Sequence, residues 1–258
     1  MSYNAIAFLV VISLFFGIVL ALGVGRYLGR RNSSDKTESS HIRLTAVETA
    51  VFGLMGLLIA FTFSGAASRY ELRRQQIVNE ANAISSAYLR IDLLPSQAQP
   101  ALREKFRLYL EARISAFRVL PDIEASSKHI AVAASLHQDI WAGATAALRE
   151  SPPQATLLMV PALNEMSNLT TERAIAALTH TPMVILFMLV ILGCACSLLA
   201  GYAMASMGPR QVTVHTITFA FILTSTVYVI LDLDFPRFGL IQLDFADQAL
   251  LDLRALMK

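Results

Sequence analysis

The chain has 258 residues, 55 % of them apolar and 16 % charged, with a mean hydropathy of +0.54 and a formal net charge of +2. The apolar excess falls in blocks, which excludes an ordinary soluble domain. The near-balance of charge excludes the basic surface that nucleic acid recognition requires.

Four blocks reach the length of about 20 mostly apolar residues that a bilayer-spanning helix needs: Ala5–Val24, Ala46–Ala67, Met183–Ala205 and Val212–Leu231. The first lacks the basic n-region of a secretory signal and its apolar run is too long for one, so it reads as a span. The spacing predicts an all-α polytopic membrane protein in four parts. Residues 1–67 hold spans one and two, 68–180 a soluble helical domain, 181–232 spans three and four, and 233–258 an acidic tail.

After span one, the polar loop RYLGRRNSSDKTESSHIR carries five Lys/Arg against two acids. Positive loops favour the cytoplasmic side, and Arg210, between spans three and four, must share that side. Arg69, Arg73 and Arg74, at the other end of span two, weigh for the opposite orientation. Glu48 enters span two near its N-terminus, where a negative charge complements the helix dipole.

Span two is the longest uninterrupted signal. From Ala46 to Leu94 nothing stops a helix, and about 1.5 Å of rise per residue makes it a rod of roughly 70 Å. Gly56, Ala60 and Ser64 recur every four residues, a spacing of small side chains that lets helices approach closely in lipid. Beyond the membrane, Ile77, Ala81, Ile84, Tyr88 and Ile91 form an apolar stripe, with Arg73, Arg74, Gln76, Glu80 and Arg90 on the other face. Arg69, Arg73 and Arg74 are expected at the membrane interface.

Leu94-Pro95-Ser96 ends the rod, and Ser96 with Gln99 has the form of a capping box for the next helix, near 97–119. Its stripe runs through Leu102, Phe106, Tyr109, Leu110, Arg113 and Phe117. Pro121-Asp122 opens a helix to about Arg149, with Ile123, Ile130, Ala134, His137 and Trp141 as its apolar side. Ser151-Pro152-Pro153 breaks the chain before a helix near 156–178, and Thr181-Pro182 reads as the start of span three. Asp232 and Asp234, followed by Pro236 and Arg237, lie where span four meets water. They are expected to pair with arginines or cap a helix there, with cation binding a lesser alternative. Asp244–Leu256 fits an amphipathic helix with Phe245, Ala249, Leu250, Leu253 and Leu256 inward.

No catalytic or cofactor motif appears. The five histidines form no metal spacing, and Cys194 and Cys196 point to different faces of one helix, so neither a disulfide nor a metal site is expected. Ionisable residues are nearly absent within the spans, which counts against proton coupling. Passive conduction needs no titratable group. We therefore expect neither an enzyme nor a cofactor.

Two segments, FTFSGAASRYELRRQQIVNEANAISSAYLRIDLLP and YVILDLDFPRFGLIQLD, resemble the bacterial bestrophin-like family of four-span membrane proteins. The resemblance covers most of the chain and extends, more distantly, to the bestrophin anion channels. It implies a homo-oligomer, a pentamer in the bestrophins, with span two lining a pore. Bulky apolar residues four apart on that span form the bestrophin neck, a position that Gly53, Leu57 and Phe61 occupy here. Leu57 and Phe61 suit a constriction that gates by dewetting, whereas Gly53 departs from the pattern. The acidic calcium clasp of animal bestrophins is reduced to isolated aspartates. The family arrangement implies an inner-membrane protein with its soluble domain in the cytoplasm. Two functions follow: an oligomeric channel for small anions or solutes, or a non-conducting sensor or scaffold whose helical domain binds a ligand or partner.

Overall fold

The computed structural model describes residues 3–31, 38–120 and 122–257. The elements are helices α1 (Tyr3–Arg31), α2 (Glu38–Leu89), α3 (Gln99–Arg118), α4 (Ile123–Leu148), α5 (Pro153–Leu178), α6 (Met183–Ala203), α7 (Pro209–Asp234) and α8 (Asp244–Leu256). Short 3₁₀ turns follow α2 (Arg90–Leu93) and α6 (Met204–Ser206). Among the described residues there is no strand. The fold is all-α, and four of its helical stretches are long and apolar enough to cross a membrane. The stretch 231–235, whose residues alternate between apolar and acidic, is helical as far as Asp234.

α2 runs unbroken for 52 residues. Its regular bonding gives way at Arg90 to a 3₁₀ turn, and Leu94 is extended (φ −92°, ψ 160°). A residue before proline is pushed out of the helical region by the ring, so Pro95 sets this end. The expected capping box does not form. α3 starts after Ala98 with no side-chain cap, and the Gln99 amide instead donates to the Leu94 carbonyl at 2.9 Å. Asp122 does cap α4, accepting from the Ala125 N–H at 3.0 Å. Span three begins at Met183, where its apolar block starts, with Pro182 rather than Thr181 as the cap.

The chain divides into two compact units, Met1–Ser68 with His180–Phe235, and Arg69–Thr179 with Pro236–Lys258. In the first, α1 and α6 pack backbone to backbone. A Cβ on Gly25 would fall 2.0 Å from the Leu198 carbonyl oxygen, and one on Gly201 would fall 2.0 Å from that of Leu22. Glycine permits this approach, and the contact stabilises a helix pair in lipid through dispersion. Gly201→Ala must push the two helices apart. We expect it to lower stability by about 1–3 kcal/mol, as overpacking does, read as a drop in melting temperature of the detergent-purified protein.

Met55 of α2 and Leu223 of α7 both lie against Gly193 of α6, and Phe52 meets Phe219 edge to face at 6.3 Å. The start of α6 is tied to the end of α7, since the Thr181 N–H donates to the Asp234 carboxylate at 2.8 Å. His180 stacks on Phe235 there, with ring centroids 4.2 Å apart.

The second unit has a separate core. Ile77, Ala81, Ile84, Tyr88 and Ile91 of α2 meet Phe106, Tyr109 and Leu110 of α3, Ile140 of α4, and Met159, Leu163 and Met166 of α5. α4 is rotated from its expected orientation. Ile123 and Ile130 are exposed, and the buried side is Ala133, Ile140, Ala144 and Ala147. Alanines allow close helix packing, so that face wins although the isoleucines carry more apolar area. In α8, Leu250 and Leu253 are buried as expected, but Phe245 and Leu256 are exposed and Ala246 takes the inward position.

Candidate functional site

The membrane part of α2 has two unlike sides. Met55, Thr62 and Ala66 are buried against the bundle, and the Thr62 hydroxyl donates to the Leu58 carbonyl at 2.7 Å, which keeps its polar atom satisfied within the helix. The other side carries Gly53, Gly56, Leu57, Ala60, Phe61 and Ser64, all exposed in the single chain. Leu57 is 52 % and Phe61 68 % accessible, and no atom lies within 4 Å of where a Cβ would stand on Gly53 or Gly56. Residues 53, 57, 60, 61 and 64 follow the three-to-four spacing of one helix face. The neck candidates and the small-residue candidates thus share one continuous stripe.

The charged residues at the ends of the spans have different fates. Arg74 is exposed, 3.4 Å from Glu71, and Arg69 is half-buried. Arg73 is buried and donates to the carbonyls of Ala176 at 3.0 Å and Thr179 at 2.6 Å. Both carbonyls lie at the C-terminus of α5, where a cation complements the helix dipole, and that of Ala176 also accepts from the Thr179 N–H at 3.3 Å. Asp232 and Asp234 are buried. Arg237 has φ 109°, the one non-glycine at positive φ among the described residues, a conformation that costs on the order of 1–3 kcal/mol. Its guanidinium grips Asp247 through two bonds of 2.7 and 2.8 Å. Among the described residues no three His, Cys, Asp or Glu side chains converge on a metal-sized space.

In the second unit a buried charge cluster stands where the amphipathic pattern of α2 predicts a solvated face. Glu80 is inaccessible and accepts from Arg113 at 2.6 Å and from Arg173. All three side chains come from buried stripes: Ile77-Glu80-Ile84 on α2, Tyr109-Arg113 on α3 and Met166-Leu169-Arg173-Ala176 on α5. Burial alone would raise the Glu80 pKa, but Arg173 and Arg113 outweigh it and hold the carboxyl below its ordinary value. Arg173 is pushed down to about 10, chiefly by burial, against the pull of Glu80. It remains charged at neutral pH. The Arg173 guanidinium lies 3.6 Å from the centroid of Phe117, with Arg237 4.8 Å and Arg113 5.5 Å from the same ring. Arg113 inside an apolar stripe was the sequence signal for this cluster. Glu80 and Arg173 gave none, because a lone charge on an amphipathic helix usually marks its wet side.

Four apolar spans on an all-α frame, with a long second helix continuing past the membrane, define a polytopic membrane protein of bestrophin type. Residues 16–244 match the bestrophin-like domain, and the chain belongs to that family. Comparison with curated proteins gives no match. Among solved structures, the fold is similar to a bacterial bestrophin homologue from Klebsiella pneumoniae, with a TM-score of 0.68 at 14 % identity over 95 % of this chain and 98 % of that one. A single-substitution variant of the Klebsiella pneumoniae homologue gives 0.68 at 14 % identity, covering 95 % and 99 %. A membrane protein variant gives 0.67 at 14 %, covering 93 % and 98 %. At that identity the likeness establishes the shared fold.

Proposed function

We propose that the chain assembles as a homo-oligomer, a pentamer by analogy, and conducts small anions or solutes through a path lined by α2. The observation that carries this reading is the uncovered stripe Gly53–Leu57–Phe61, set on the helix that bestrophin-type proteins use for a pore. Leu57 and Phe61 act as apolar rings that exclude water when narrow, while Gly53 leaves its ring wide. Gly56, Ala60 and Ser64 on the adjoining positions let a neighbouring copy approach closely. The protein sits in the inner membrane with its helical unit on the cytoplasmic side, and its role is transport rather than catalysis.

The test is chloride efflux from liposomes containing the purified protein, alongside particle symmetry by electron microscopy. Saturating, protein-dependent efflux from a five-fold particle is the expected result. A monomer or dimer that leaks no anion, and that co-purifies with a stable partner after cross-linking, would instead support the sensor or scaffold function.

A further inference from the structure

The second unit contains a cavity of about 240 Å³, below the ~300–1,000 Å³ typical of pockets for drug-sized ligands. It therefore suits a small ligand. Its apolar lining is Ile114, Phe117, Leu120 and Leu250. Its polar lining is Arg118, Arg237, Gln242, Asp244 and Asp247.

Both acids in this lining are already engaged. Asp247 is held by the two bonds from Arg237. Asp244 lies 3.1 Å from the Gln242 amide nitrogen, in the amide orientation that satisfies both of its ends. Behind Phe117 and Asp247, the buried Arg173 Nη2 has no hydrogen-bond partner among the described residues and sits 3.8 Å from Asp247 Oδ1. The cavity lining and the cluster joined to it through Asp247 and Phe117 together hold four guanidiniums, those of Arg113, Arg118, Arg173 and Arg237, and three carboxylates, those of Glu80, Asp244 and Asp247, one positive charge in excess. Donors are therefore in surplus at a half-apolar cavity. The strained backbone of Arg237 sets its guanidinium in that lining, and strain of this kind persists where the surroundings demand a side-chain position.

We propose that this cavity binds a small organic monoanion, a carboxylate carrying a short aryl or alkyl group. The carboxylate meets Arg118 and Arg237, and the apolar part lies against Leu120, Leu250 and Phe117. A cation is disfavoured by the excess guanidinium and by the engagement of both aspartates. The site is independent of whether the protein conducts.

Benzoate titrated into the full-length protein in detergent, followed by calorimetry, tests the assignment. We expect saturable binding at one site per chain, with the neutral isostere benzamide weaker by about tenfold or more, the factor that one lost charge-assisted contact typically gives. Arg118→Gln, at an exposed position, should weaken benzoate by roughly fivefold to tenfold with the melting temperature unchanged. Arg237→Gln should weaken it at least as much. Absence of saturable heat for both benzoate and butyrate overturns the proposal. So does equal binding of benzamide, or unchanged affinity in Arg118→Gln.

Discussion

Phe61→Ala should raise anion efflux from liposomes severalfold while leaving the melting temperature nearly where it was. Phe61 is 68 % accessible in the chain, so truncation forfeits little of the ~3–5 kcal/mol that a fully buried phenylalanine contributes to its core. A ring of phenyl groups at a neck acts differently. It makes a short pore segment too apolar to stay wet, and a dry segment is a barrier to any ion. Each ~1.4 kcal/mol removed from that barrier is about tenfold in rate. Leu57→Ala should act in the same direction with a smaller effect, since its side chain fills less of the opening. Gly53→Leu adds a ring where the chain has none, and should lower efflux. A Phe61→Ala protein that melts several degrees lower with unchanged efflux would place Phe61 in helix packing and end the neck assignment.

Glu80→Gln should destabilise the helical unit by about 3–5 kcal/mol, because it leaves Arg113 and Arg173 buried with a neutral partner. Both guanidiniums bond to this one carboxylate, so the loss exceeds that of an ordinary hydrogen bond. The same contact makes stability depend on pH. With its folded pKa held below the unfolded value, Glu80 adds its full share of stability above the unfolded carboxylate pKa of about 4.3. That share is lost as pH falls through the lower, folded value, because the unfolded state then binds the extra proton. Melting followed by circular dichroism between neutral and acid pH should show wild-type stability falling faster than that of Glu80→Gln. Parallel pH curves for the two proteins would remove Glu80 from the acid response. Replacing Glu80, Arg113 and Arg173 together with apolar residues of similar volume should recover most of the loss, since the cost lies in the unpaired charges.

Much of the architecture was legible in the residues because its causes are local. Lipid admits helices only where apolar runs are long enough, so the four spans could be read directly. α2 could be followed as far as Leu94 because no proline or turn interrupts it, and Pro95 marked its end, although its regular bonding already gives way after Leu89. Asp122 opened α4 for an equally local reason, whereas α5 starts at Pro153, three residues ahead of its expected start near residue 156. The orientation of α4 was not legible. The face of Ile123 and Ile130 competes for the interior with that of Ala133, Ile140 and Ala144, and only the neighbouring helices decide which comes close. The same holds for Ala246 over Phe245 in α8.

For the candidate sites the division is sharper. Leu57 and Phe61 could be singled out on α2 through the resemblance to the bestrophin neck, since exposed apolar residues on a span otherwise read as lipid or helix contacts. The Glu80 cluster could not, because its members lie on three helices far apart in sequence, and each reads alone as a solvated charge. Nor could Arg237, whose positive φ and grip on Asp247 depend on where α8 folds back. The sequence by itself determined a four-span, all-α membrane protein with a long second helix, since bilayer solvation and helix periodicity act on neighbouring residues. Only the tertiary structure decided which charges are buried, which glycines carry the α1–α6 contact and where a cavity opens, since those depend on surfaces that folding brings together.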